Sequence, residues 1–156
     1  MDRRIVLLIL SLIVFISSIG YFSFTGFFAR QNYIEESSVV ARVIDGDTVE
    51  LINGERVRLI GIDTPEKGNK CYKESATRLS ELVEGKDVIL RRDVENKDRY
   101  GRLLRFIFLG NENINVKLVR EGFAKMYTIK PNVKYHEEIQ EAFLSARTES
   151  GCLWSS

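Results

Sequence analysis

The chain is poor in the residues that most often build metal and nucleophile chemistry. Its 156 residues include one histidine and two cysteines. His136 lies in Tyr135-His136-Glu137-Glu138, where a zinc-protease helix would need a second histidine four residues on, and that position is Gln140. A histidine-based zinc site is therefore excluded, and His136 reads as a helix-surface residue. Cys71 and Cys152 are too few and too far apart in sequence to make a thiolate metal centre. Surplus positive charge is also lacking. Of 23 Lys and Arg and 22 Asp and Glu, only Asp2, Arg3, Arg4 and Arg30 precede Gln31, so the remainder carries a charge of about −1. That excludes a protein holding a polyanion by bulk basic charge; any such action needs a compact local site.

Charge is absent altogether from residues 5–29, most of which are Ile, Leu, Val or Phe. As a helix these residues would span roughly 37 Å, enough to cross a hydrocarbon core of about 30 Å. Arg3 and Arg4 precede the run, which leaves the N-terminus in the cytoplasm and the rest of the chain outside. The segment is expected to be an uncleaved transmembrane anchor. The alternative is a signal peptide, for which Ser18-Ile19-Gly20 is the one passable cleavage site and Tyr21 the new start. Either way the domain is exported: anchored to the cell membrane by a single pass, or secreted if the segment is cut. The chain divides into an anchor or signal segment (1–30), a short polar linker (31–37) and one domain (38–156). No repeat or low-complexity stretch follows the linker. An oxidising compartment favours a disulfide between Cys71 and Cys152, the alternative being two separate thiols.

Residues 38–44, 47–52 and 55–62 are rich in β-branched and aliphatic side chains, and the last two runs are joined by Asn53-Gly54, a strong hairpin signal. Residues 72–84 carry Ala76, Leu79, Leu82 and Val83 at helical spacing, with Gly85 as the stop. Residues 88–94 and 103–109 read as strands linked by a charged loop. Helices are expected over 116–121, ending at Gly122, and over 134–149, after the break at Lys130-Pro131-Asn132. Five short strands and three helices predict an α+β fold, a small OB-type β-barrel, preceded by the N-terminal anchor helix. A β-sandwich is the alternative, less able to house three helices.

Carboxylates crowd into one short region: Asp45, Asp47, Asp63 and Glu66. A two-residue Asn53-Gly54 turn would set Arg58 opposite Val49 and Ile60 opposite Asp47, making Asp47 and Arg58 diagonal neighbours on one face. Asp63 falls out of phase in that register unless Gly46 forms a bulge or the strand ends early. Two carboxylates with a nearby carbonyl make an all-oxygen set suited to calcium or magnesium. The bland reading of Asp45-Gly46-Asp47 is a turn; Asp63-Thr64-Pro65-Glu66 at the other end of the hairpin weighs against it.

Ile44-Asp45-Gly46-Asp47-Thr48-Val49, then Arg58-Leu59-Ile60-Gly61-Ile62-Asp63-Thr64-Pro65-Glu66, then Asp98-Arg99-Tyr100-Gly101-Arg102 resemble, in order and spacing, the three active-site motifs of the staphylococcal nuclease (thermonuclease) family. The resemblance runs on through Leu118-Val119-Arg120-Glu121-Gly122 and Lys130-Pro131-Asn132 to Leu153-Trp154. It implies a five-stranded OB barrel with three helices and calcium-dependent hydrolysis of DNA, with RNA as a further candidate substrate; nucleic acid is the substrate, no protein partner is implied, and a monomer is expected. It further implies that Asp47, Asp63 and the Thr64 carbonyl bind Ca2+, that Glu66 is the general base, and that Arg58 and Arg102 hold the scissile phosphate. Guanidinium forks match the oxygens on which charge builds during attack. By the same resemblance Tyr100 and Tyr127 neighbour the nucleotide, although the alignment slips by one residue between Lys125 and Lys130. The segment 67–73 is shorter than the corresponding family loop, and no phosphate contact transfers from it. The rival reading is a non-catalytic nuclease-like module that binds nucleic acid or protein; the presence of Arg58, Glu66 and Arg102 together speaks against it.

Overall fold

The computed structural model describes residues 35–148 and 151–155. The apolar run at 5–29 lies outside the described residues, among which no helix is long and apolar enough to cross a membrane. Five described strands close into a barrel. Strand β1 (Glu35–Asp45) pairs antiparallel along its second half with β2 (Thr48–Leu51) and along its first half with β5 (Asp87–Arg91). Strand β2 continues to β3 (Arg56–Leu59), and β5 continues to β6 (Leu103–Leu109). A parallel β3–β6 pair closes the circle, with Arg58 opposite Leu104. Strand β1 serves two neighbours by bending, and its register with β2 shifts between Val40 and Arg42 and again between Val43 and Asp45. Its start at Glu35 makes Glu35–Ser37, the expected end of the linker, part of the sheet.

Two shorter pairings complete the sheet structure. Strand β4 (Ile62–Asp63) pairs with β8 (Lys125–Met126), and β7 (Glu112–Asn113) extends β6. Helix α1 (Tyr72–Val83) lies against β1, and α2 (Ile114–Arg120) packs on β6 and on α3 (His136–Ala146). The Asn113 side chain caps α2 by accepting from the N–H groups of Asn115 and Val116. The α2 helix begins two residues earlier than its apolar pattern indicates, because that cap sits at Asn113. The core is filled by Val40, Val49, Leu59, Leu90, Phe106 and Ile107, all essentially inaccessible to solvent.

The hairpin register differs by one residue from expectation. Thr48 faces Arg58 and Val49 faces Val57. Leu51 and Glu55 close a three-residue loop through the Leu51 N–H to the Glu55 carbonyl (2.9 Å), and Gly54 takes a left-handed conformation, φ 83°. Asn-Gly also suits this loop, a turn followed by a left-handed glycine, in which the glycine ends the turn rather than forming its centre. Cys71 and Cys152 form a disulfide. It ties the residue before α1 to the C-terminal tail, where the Leu153 N–H donates to the Gly122 carbonyl (3.1 Å) and Lys70 Nζ to the Ser155 carbonyl (2.5 Å).

Candidate active site

The turn between β1 and β2 is folded by its own side chain: Asp45 Oδ1 accepts the Asp47 N–H at 3.1 Å. Glycine is required between them, since a Cβ on Gly46 would lie 2.6 Å from Thr64 Oγ1 and 2.8 Å from the Ser75 Cβ. The close approach lets the loop after β4 rest on this turn. Asp47 is buried, and its Oδ2 accepts both the N–H (2.9 Å) and the hydroxyl (3.0 Å) of Thr64. Its Oδ1 accepts the Thr48 hydroxyl at 3.2 Å and lies 3.1 Å from Arg58 Nε. Burial pushes the Asp47 carboxyl up to about 6; the Arg58 guanidinium opposes that rise, Asp45 adds to it, and the two Thr64 bonds pull it back.

Asp63 joins this cluster because β3 ends early. After Leu59 the chain leaves the barrel wall, turns at Gly61 (φ 80°) and is caught by β8, the Tyr127 N–H donating to the Gly61 carbonyl at 2.8 Å. The strand phase that would have separated Asp63 from Asp47 is thereby broken. Arg58 spans the two acids: Nε faces Asp47, Nη2 lies 3.1 Å from Asp63 Oδ1, and Nη1 donates to the Leu59 carbonyl at 2.8 Å. Asp63 itself is half exposed, so one carboxylate of the pair is dry and the other reaches solvent.

The donor set suits a hard cation. Asp47, Asp63 and the Thr64 carbonyl are all oxygen, and Asp47 is a desolvated acid whose charge a cation would stabilise. Among the described residues no three His, Cys, Asp or Glu side chains form a group able to hold a metal. The ion would therefore rest on two carboxylates and a carbonyl, with water completing its shell.

Arg102 is presented by a loop that Asp98 folds. Asp98 Oδ1 accepts the N–H groups of Tyr100 (2.9 Å) and Arg102 (3.0 Å), and Oδ2 takes Arg102 Nε at 2.7 Å. Partial burial raises the Asp98 carboxyl, but these bonds outweigh it and leave it below the ordinary aspartate value. Because β3 and β6 run parallel, with Val57 beside Leu103 and Arg58 beside Leu104, the loop entering β6 lies beside the incoming end of β3. Arg58 and Arg102 thus line one open cleft of about 520 Å3, with Tyr100 and Tyr127 also on its walls. Tyr100 is 68 % exposed and carries the Arg99 and Arg102 guanidinium groups 4.8 and 5.4 Å from its ring centre.

Glu66 does not converge with the rest. It is exposed, it is not a wall of the cleft, and among the described residues its carboxylate accepts no hydrogen bond. Lys97, Ile129 and Asn132 also line the cleft, and no motif in the sequence marks Lys97 or Ile129. Asp98 opens the Asp98–Arg102 motif, and its i,i+4 spacing to Arg102 is the sequence signal for its role. Arg105, wholly buried, could not have been found this way, since an arginine in a strand ordinarily faces water. Its Nη2 meets Asn96 Oδ1 (2.8 Å) and Glu36 Oε1 (3.1 Å), and Nη1 donates to the Leu104 carbonyl (2.9 Å).

Comparison with known proteins agrees with this geometry. Residues 56–156 match the family model described as staphylococcal nuclease homologue. The chain is 41 % identical over 128 residues to the thermonuclease of Staphylococcus intermedius, covering 76 % of each chain. It is 36 % identical over 153 residues to the thermonuclease of Staphylococcus hyicus, covering 92 % of this chain and 89 % of the relative. It is also 36 % identical over 125 residues to the endonuclease YncB of Bacillus subtilis, covering 73 % of this chain and 59 % of that one. With Arg58 and Arg102 lining one cleft of a closed five-stranded barrel and these relatives beside it, the chain belongs to the staphylococcal nuclease family.

Proposed function

We propose that this protein is a calcium-dependent nuclease that hydrolyses phosphodiester bonds of DNA, with RNA as a further candidate substrate, outside the cytoplasm. The observation that carries the reading is the convergence of Arg58 and Arg102 on one cleft beside the Asp47–Asp63 pair. Two guanidinium groups from opposite sides of the barrel's closing seam grip the non-bridging oxygens of one phosphate. Their hold strengthens as charge accumulates there in the transition state. Arg58 is already fixed by three partners and loses little freedom on binding, and Arg102 is held by Asp98 in the same way. Asp47, Asp63 and the Thr64 carbonyl would hold the calcium ion, which when bound neutralises phosphate charge and orients the ester. Glu66, exposed and without a side-chain partner among the described residues, would take a proton from the attacking water. Tyr100 and Tyr127 offer rings on which bases stack with little sequence preference.

The test is cleavage of labelled DNA and RNA by the purified full chain, with calcium, with magnesium and with chelator. Undiminished cutting after thorough chelation would overturn the calcium dependence, and binding without cutting in calcium would overturn the enzyme reading. The extracytoplasmic position rests on the uncharged run at 5–29 preceded by Arg3 and Arg4. A full-mass protein that stays with membranes through an alkaline carbonate wash supports an anchor; a soluble product starting near Tyr21 replaces it with a secreted enzyme.

A further inference from the structure

A second hollow of about 570 Å3 opens beside the cleft, between the tip of the β2–β3 hairpin and the 97–102 loop. Its walls are Glu55 and Arg56 on one side and Lys97, Tyr100 and Arg102 on the other, and the last three line the main cleft as well. The two spaces therefore share a wall, of which Tyr100 is part. Arg56 and Arg58 stand two residues apart on β3, so both side chains leave the same face of the strand, about 6.6 Å apart along it. Arg58 lines the cleft and Arg56 the hollow. Successive phosphates of an extended single strand are spaced on the same scale.

Arg56 and Lys97 of the hollow are only loosely engaged. Glu50 is taken up by Arg42 through two hydrogen bonds of 3.0 and 2.8 Å, which leaves Arg56 Nε 3.7 Å away. Lys97 reaches Glu55 at 3.4 Å, with both side chains about half exposed. Pairs this long and wet contribute little and are readily exchanged for a phosphate. Gly54 and Gly101 leave open space where a side chain would stand, so the rim is low.

We propose that this hollow is a second nucleotide subsite, in which Arg56 and Lys97 hold the phosphate next to the one in the cleft and the outer face of Tyr100 carries its base. The proposal rests on the nuclease reading above and extends it from one phosphate to a short polynucleotide track. A chain with almost no net charge gathers its substrate through this local row of Arg56, Lys97, Arg58 and Arg102.

The experiment compares an eight-residue oligothymidylate with the p-nitrophenyl ester of thymidine 5′-phosphate, whose single nucleotide fills the cleft alone. Arg56→Ala is expected to raise KM for the octamer about fivefold to tenfold and to flatten the salt dependence of octamer binding by about one counterion. The variant's kinetics on the ester are expected to match those of the unaltered protein. Glu55→Gln, which releases Lys97, is expected to lower the octamer KM. Parallel changes on both substrates, or no change on the octamer from either variant, would overturn the subsite and leave the nuclease reading standing. Failure of the unaltered protein to cut either substrate would overturn both.

Discussion

Thr64 donates twice to one oxygen of Asp47, its N–H at 2.9 Å and its hydroxyl at 3.0 Å, and so clamps two turns that lie far apart in the chain. Thr64→Val removes the hydroxyl bond and keeps the backbone one, with an expected loss of about 1 kcal/mol. Asp47→Ala strands the Thr64 N–H, takes one of three partners from the Arg58 guanidinium and is expected to cost about 3 kcal/mol. Urea denaturation measures both. In the folded Asp47→Ala protein, activity is expected to recover only at raised calcium.

Glu66→Ala and Arg102→Ala are expected to separate turnover from binding. Loss of a general base lowers turnover by about 10²–10⁴-fold, and loss of one charge-stabilising donor by about 10²–10³-fold. Affinity for a single-stranded oligonucleotide should change far less in either variant. Single-turnover rates beside a binding titration decide the matter: wild-type rates in both variants would remove Glu66 and Arg102 from the site.

The Arg78–Glu121 pair ties α1 to the end of α2 through two bonds of 2.7 and 2.9 Å. The Arg78 guanidinium holds the Glu121 carboxyl below the ordinary glutamate value against the opposing effect of burial, with Lys117 helping. A depressed folded value stabilises the protein above the unfolded pKa, and that stability is lost as pH falls through the folded one. Arg78→Met is therefore expected to cost about 1–2 kcal/mol at pH 7. The gap between variant and parent in urea midpoint should narrow steadily below about pH 4.

The Cys71–Cys152 bridge closes a loop with a sequence separation of 81 residues. Chain entropy gives it up to about 4.5 kcal/mol of stabilisation. Cys152→Ser is expected to lower the thermal midpoint measurably, and added reductant should bring the parent protein down to the variant. A midpoint insensitive to both changes would show that the bridge contributes nothing.

Much of this architecture is legible in the sequence, for identifiable reasons. Helix α1 starts at Tyr72, as its apolar spacing requires, and Gly85 and Gly122 both take the left-handed conformation that ends the segments before them. The acids and arginines of the site are legible because each stands in a short polar motif with a turn residue beside it. What escapes is whatever depends on two readings of one dipeptide or on contacts across the fold. Asn53-Gly54 fits a two-residue turn and a three-residue loop equally, and a shift of one residue decides whether Arg58 opposes Val49 or Thr48. Asp63 reaches Arg58 only because β3 stops at Leu59 to pair elsewhere, a decision made by β8 some sixty residues on. Arg105 escapes for a similar reason, since its partners Glu36 and Asn96 come from two other parts of the chain.

The closing of the barrel by a parallel β3–β6 seam has a bearing on when activity can first exist. Arg58 and Arg102 become neighbours only when β6 docks beside β3, after every intervening strand and α1 have been laid down. Until then the two arginines sit at the ends of a long tether whose closure entropy has still to be met. A nascent chain on a ribosome, or one threading a narrow pore, carries the acid-rich motifs but no cleft. Nuclease activity is thus expected to report closure of this seam, and in a refolding time course it should appear after the secondary-structure signal has levelled off.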